Sequence, residues 1–278
     1  MRKDKPIVKI LVATHKKYKM PTDEIYLPLH VGAEGKFDEN GREVDFGIAK
    51  DNTGDNISYK NASFGTQTAL YWGWKNVNAD YKGLVHYRRH FLRKKVKKGE
   101  DVLNCVIDGN TLYPLLKKYK VFVPRKRHYY IESVYKHYSH TMNGGEDQLN
   151  ITRKIIEEKC PKYLNSFDKC MEAKSAYIFN MMILETSLMD DYCSWLFDII
   201  FELEKRVDIS NYNDFDKRYI GRVTERLFNV WLLYKLENNE ISKSEICELP
   251  YNEQVNWMRK IITLIQSKLF NKKYGKSF

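Results

Sequence analysis

Near the start of the chain, Ile7-Val-Lys-Ile-Leu-Val-Ala13 is an apolar run of strand length, and the polar Thr14-His-Lys-Lys17 follows at once. Such a run reads as a buried β-strand that ends in a loop. Three more segments read as strands: Tyr81–His90, which runs straight into a cationic cluster, Lys120–Pro124 and Ala176–Glu185. Between and after them, apolar residues fall at helical spacing over Gly65–Val77, Thr111–Tyr119, Glu132–Tyr138, Glu146–Lys159, Leu188–Arg206 and Thr224–Glu237. Pro161 stops the fourth of these helices, and Thr224 is a plausible cap for the last. Strands alternating with helices predict an α/β layered domain. Residues 32–60, rich in Gly, Asp and Asn, are expected to form an extended functional loop.

The end of the chain differs in character. From Asn252 onward, Val255, Met258, Ile262, Ile265 and Leu269 fall on one helical stripe, with Arg259, Lys260, Lys268 and Lys272 supplying charge. We read residues 1–250 as the domain and 251–278 as a basic amphipathic helix. It is suited to an anionic membrane surface, or to docking on the domain with a solvated outer face.

With 47 Lys and Arg against 36 Asp and Glu, the net charge of +11 favours polyanionic partners without choosing among them, and a lysine-rich surface alone would give the same value. The 20 tyrosines suit either ring stacking or a Tyr-rich core. Five scattered cysteines without a Cys-x-x-Cys pair indicate neither a zinc ribbon nor a disulfide framework and fit a reducing cytoplasm. No signal peptide is legible, and no apolar stretch approaches the ~18 residues of a membrane span.

The most informative residues are His86-Tyr-Arg-Arg-His-Phe91, directly after Gly83-Leu-Val85. Strand ends are where α/β folds place ligand groups. An arginine's planar fork suits a pyrophosphate, donating two hydrogen bonds to phosphate oxygens. Strand alternation would set Tyr87 and Arg89 opposite Arg88, leaving one arginine facing the site. A zinc reading is poor, because no Glu sits between His86 and His90 and the intervening arginines repel a cation. There is no dinucleotide fingerprint, P-loop or nucleophile elbow, and the basic residues form no nucleic-acid recognition motif. Candidate carboxylates are Asp55, Glu146, Asp147 and Glu225, the last three at helix starts, where acids are also ordinary dipole partners.

The order of these pieces resembles a bacterial capsular and exopolysaccharide glycosyltransferase family, domain of unknown function 4422, which includes galactofuranosyltransferases. The resemblance rests on Ile10-Leu-Val-Ala-Thr-His15, Leu29-His-Val-Gly-Ala33, Gly54-Asp-Asn-Ile-Ser58, Lys60-Asn61 and Thr68-Ala-Leu-Tyr-Trp72. It continues through Gly83-Leu-Val-His-Tyr-Arg-Arg89, Phe179-Asn-Met-Met-Ile183, Tyr192-Cys-Ser-Trp-Leu-Phe197 and Glu225-Arg-Leu-Phe-Asn-Val-Trp231. One departure is Gly65-Thr-Gln67, where the family usually carries an acid. More distantly, the layout is similar to the GT-A glycosyltransferases, with cations at the strand end where those enzymes hold a divalent metal on an Asp-x-Asp.

The resemblance implies a GT-A-like single nucleotide-sugar-binding domain, with a mixed, mostly parallel sheet flanked by helices. It implies hexosyl transfer, galactofuranosyl among the options, from a UDP-sugar donor to a lipid-linked oligosaccharide acceptor, with no metal or other cofactor and no nucleic acid. His86, Tyr87, Arg88 and Arg89 would meet the diphosphate, Thr14 and His15 the nucleotide, and Asp55, Asn56, Lys60 and Asn61 the uracil, ribose or sugar. Asn180 would join the donor site, and Glu225, with Asp147 behind it, would be the catalytic base. The expected location is cytoplasmic, peripheral on the inner face of the plasma membrane. The competing classes are a non-enzymatic basic polyanion-binding module and a nucleotide-sugar hydrolase or phosphotransferase.

Overall fold

A computed structural model describes residues 5–252. The basic helix read over residues 251–278 lies outside them, save Tyr251 and Asn252. The strands are β1 (Val8–Thr14), β2 (Tyr26–His30), β3 (Ala49–Lys50), β4 (Tyr81–His86), β5 (Val121–Pro124), β6 (Arg127–His128), β7 (Ser175–Ala176), β8 (Met182–Glu185) and β9 (Ile246–Leu249). Between β3 and β4 lie α1 (Asn61–Phe64) and α2 (Gln67–Asn76), and α3 (Gly109–Leu116) precedes β5. Next come α4 (Val134–Thr141), α5 (Gly145–Lys159) and α6 (Leu164–Glu172), then α7 (Thr186–Arg206) and α8 (Tyr219–Glu237).

Seven strands form one sheet in the order β3-β2-β1-β4-β8-β5-β9, with β8 alone running against the rest, and β6 and β7 form a short antiparallel ribbon. This is the mixed, largely parallel sheet flanked by helices that the alternation of elements predicts. The first strand shows why it is apolar along its length. Val8, Ile10 and Val12 pack with Ile107 and Leu112 on one face, while Leu11 and Ala13 join the helical layer on the other. A strand covered on both sides has no polar face to present. The layers meet closely: a Cβ at Gly73 of α2 would fall 2.1 Å from Leu11 Cδ1. Tyr138, Tyr192 and Tyr219 are fully buried, so many of the tyrosines serve the core.

Two expectations change. The strand read over Ala176–Glu185 is broken, because Phe179 and Asn180 both take positive φ (72° and 53°) and turn the chain before β8 begins. Thr224 caps nothing, because α8 starts at Tyr219; the threonine is buried inside the helix, its hydroxyl donating to Gly221 O at 2.9 Å. β2 and β9 were not legible as strands.

The loop of residues 32–60 is extended but internally fastened. Buried Asp51 accepts from Gly32 N (2.9 Å), Ala33 N (3.1 Å) and the Ser58 hydroxyl. Hydrogen bonds to a charged group contribute about 1.5–3 kcal/mol, and stranded buried donors are costly. Asp51→Ala is therefore expected to destabilise the protein by roughly 3 kcal/mol, measured as a lowered urea midpoint at unchanged slope.

Candidate functional site

β1 and β4 are parallel neighbours, and the chain leaves them in opposite directions, β1 toward β2 and β4 toward the other half of the sheet. The carboxyl ends of two such strands open a crevice in which α/β proteins bind ligands. The Thr14-His15 and His86–His90 segments flank that crevice. Strand β4 stops at His86 and folds into a two-residue turn, with His86 N bonded to Arg89 O (3.2 Å) and Arg89 N to His86 O (2.8 Å). Strand alternation ends there, so the expected opposition of Arg88 to Tyr87 and Arg89 does not apply. Instead His86 and Arg89 stand as paired residues with Arg88 at the corner.

The turn is clamped from two sides. Tyr87 N donates to Ala13 O of β1 at 3.1 Å. Asn252 accepts from His90 N at 2.6 Å through its side chain and donates to Arg88 O at 2.8 Å. The buried Tyr87 ring is the floor, with the rings of His15 (5.4 Å) and Tyr18 (4.9 Å) edge-on and Arg88 at 5.3 Å from its centroid. The Arg89 guanidinium lies 4.2 Å from the Phe179 ring centre, a cation–π contact made by a residue in the left-handed region.

Positive charge converges here. Burial first, and then Arg218, Lys16, Arg88 and His30, lower the pKa of His15. Burial, reinforced by Arg89 and Arg88, pushes His86 down to about 3. Burial likewise holds His90 at about 4, against a hydrogen bond with Tyr87 O at 3.2 Å. A carbonyl only accepts, so neutral His90 carries its proton on Nε2. At neutral pH His86 and His90 are thus uncharged and the arginines hold the charge. Arg88 Nε and His86 Nδ1 are buried with no hydrogen-bond partner among the described residues. Buried polar groups are almost always satisfied, and the oxygens of an anionic ligand would satisfy this guanidinium.

The other predicted residues divide. Thr14 is buried, and its hydroxyl shapes the following turn by donating to Lys16 O at 2.6 Å. Asn180 is a strut: its amide donates to Gly221 O (2.8 Å) and accepts from Thr224 Oγ1 (3.1 Å), fixing the first turn of α8 against the strand edge. Asn61 packs under Gly32 and donates to Gly65 O (2.8 Å) and Thr68 Oγ1 (3.0 Å). Lys60 is paired with Glu204 at 2.7 Å. Asp55 and Asn56 do not join the cluster. Asp55 accepts from Tyr71 OH (3.0 Å), and its backbone is pinned by Asn76, the last residue of α2. Asn56 bonds within its own loop, to Gly54 O and Ser58 N.

Glu225 lies in the second turn of α8, directly after the Asn180-bonded Thr224, with its carboxylate 2.9 Å from Arg226 Nη1. Asp147 is exposed in the first turn of α5. Sequence reasoning missed Arg218, at the entry to α8, and Asn252; neither carries a local pattern that marks it. The departure at Gly65-Thr-Gln67 ends on Gln67, which opens α2 fully buried with neither amide atom hydrogen-bonded among the described residues. A cavity of about 190 Å³ between α6, β7 and α8 takes Lys126, Lys169 and Arg226 into its wall but no residue of the strand-end turn. Among the described residues no three His, Cys, Asp or Glu side chains gather as metal ligands, and no helix is long and apolar enough to cross a membrane.

Fold and site together define an α/β protein with a cationic crevice at the point where its sheet order reverses. The chain belongs to the family described as domain of unknown function DUF4422, whose sequence profile matches residues 9–238. Its fold is similar to the apo structure of WbbM, a bifunctional glycosyltransferase, at a TM-score of 0.76 and 28% identity. That match covers 88% of this chain and 45% of WbbM, so the chain spans less than half of that protein. No curated protein matches it.

The neutral histidines make a pH prediction. An unfolded histidine titrates near ~6.5, above the folded values of about 3 for His86 and about 4 for His90. As pH falls below that unfolded value, the unfolded chain takes up protons that the folded one refuses, so stability present above it is progressively lost. Urea midpoints should therefore fall from pH 7 to pH 4, and His86→Asn should flatten that slope whatever it does to the absolute stability.

Proposed function

We propose that the chain is a sugar-nucleotide glycosyltransferase. It transfers a hexosyl group from a UDP-sugar to a hydroxyl of a lipid-linked oligosaccharide, at the cytoplasmic face of the membrane, in surface-polysaccharide synthesis. Galactofuranose is the first sugar to test. The observation that carries the reading is the match to a bifunctional glycosyltransferase over 88% of the chain, with the Arg88-Arg89 turn at the switch point of the sheet. The GT-A-like assignment is supported by the sheet, parallel apart from β8.

In this reading Arg88 and Arg89 bind the diphosphate and stabilise the charge that develops on UDP as the glycosidic bond breaks. Their positions are fixed before the reaction by the clamped turn, and preorganised charge of this kind supplies a large share of catalysis. Neutral His86 adds a hydrogen bond, while Arg218 and His15 close the crevice opposite. Fixed cations do here what a divalent ion does elsewhere, so no metal is required. Glu225 takes the proton of the attacking hydroxyl if the reaction inverts configuration, and Arg226 and the Asn180 strut hold it in place.

Calorimetric titration with UDP and UDP-sugars, with and without EDTA, tests this. UDP should bind in both conditions, and Arg88→Ala should weaken it by about tenfold to a hundredfold. Glu225→Gln should leave UDP affinity intact while lowering kcat by about 10²–10⁴. Absence of any nucleotide response would sink the reading, and loss of Arg88→Ala affinity only in step with total charge would favour a polyanion-binding module. Strict metal dependence would remove the metal-free part.

A further inference from the structure

The loop between β6 and α4 holds two apolar side chains in water. Tyr130 and Ile131 are each 79% exposed, more than any other large apolar residue among those described. The backbone is built to present them. Tyr130 has φ 57°, in the left-handed region that disfavours a side chain by roughly 1–2 kcal/mol. Ile131 N and Glu132 N both bond to Tyr129 O, at 2.7 and 3.4 Å, closing a tight turn. The base of the loop is fastened by Tyr129 N to Lys174 O and Val134 N to Ala173 O, each at 2.8 Å, and the Tyr129 ring packs on His137. A strained, well-anchored turn that exposes an apolar pair points to function more than to stability.

The surroundings supply charge. Residues 125–136 contain Arg125, Lys126, Arg127 and Lys136 against the single acid Glu132. Arg125, Lys126 and Lys136 are exposed. The Glu132 carboxylate is turned toward the imidazoles of His137 (3.4 Å) and His140 (3.6 Å). An apolar tip flanked in sequence by exposed cations matches an anionic bilayer surface, where aromatic rings settle at headgroup level and lysines and arginines meet lipid phosphates. A polynucleotide would use the cations but not an isoleucine at the apex.

We propose that Tyr130 and Ile131 insert into the headgroup region of an anionic membrane while Arg125, Lys126 and Lys136 hold its phosphates. This contact uses other residues than those of the 251–278 tail. It does not rest on the glycosyltransferase reading, because membrane partition needs no turnover.

The test is co-sedimentation of the full chain with vesicles of phosphatidylcholine alone and with phosphatidylglycerol added. Wild-type protein should partition onto the anionic vesicles and not the neutral ones. The double variant Tyr130→Ser/Ile131→Ser should partition at least about tenfold more weakly, with an unchanged thermal melt, and Ile131→Leu should bind as wild type. Lys126→Glu/Lys136→Glu should also lose binding, whereas the charge-matched control Lys95→Glu/Lys98→Glu should retain it. Undiminished partition of the Ser/Ser variant, equal binding to neutral vesicles, or equal loss in the two charge variants would each overturn the proposal.

Discussion

The arrangement of the site depends on one turn. His86–Arg89 reverses the chain in two residues, and three backbone groups of residues 86–90 are held from outside: Tyr87 N by β1, and His90 N and Arg88 O by Asn252. Adjacent guanidiniums repel one another, and left on a free loop they would splay toward water. Backbone hydrogen bonds are indifferent to side-chain charge, so a turn fixed by them keeps the arginines together at no electrostatic benefit to the fold. The Tyr87 ring completes this by giving the cations an electron-rich surface to lie beside.

The second tether is Asn180. It sits in the strained pair that precedes the one antiparallel strand, and its amide reaches the first turn of α8. Because β8 runs the other way, its beginning lies beside the end of β4. Arg218, just before α8, is near enough to His15 to help lower its pKa. The strand-end turn supplies fixed positive charge, and the entry to α8 supplies a further cation.

Much of the fold was legible because burial leaves a periodic trace. β1, β4, α5 and α7 follow from apolar spacing, since each is long enough or buried enough to show its period. β2 was not, because Pro28 argues against a strand interior; it is tolerated where β3 pairs only with Leu29 and His30. The break before β8 was hidden because Phe179, Met181 and Met182 look like strand residues, and only backbone dihedrals reveal the turn. The cluster around Arg88 and Arg89 was visible as adjacent charge in sequence. Arg218 and Asn252 were not, because their places are set by tertiary contacts that no short window contains. Asp55 and Asn56 stand in a polar, Gly-containing loop whose pattern drew attention in sequence; the Asp55 side chain accepts from Tyr71 of α2, and Asn56 bonds within its own loop.

The neutrality of His86 has a consequence for recognition. Arginine offers donors alone, so a crevice of guanidiniums would treat all oxyanions of similar size and charge alike. An uncharged imidazole always keeps one bare nitrogen lone pair, and here burial, reinforced by two neighbouring arginines, keeps it from being protonated. The crevice thus contains hydrogen-bond acceptors among its donors, the bare nitrogens of His86 and His90 included. A hydroxyl, or an acidic oxygen that still carries its proton, finds a place there that a fully deprotonated sulfate cannot use, so the same charges that attract anions indiscriminately also create the means of telling them apart.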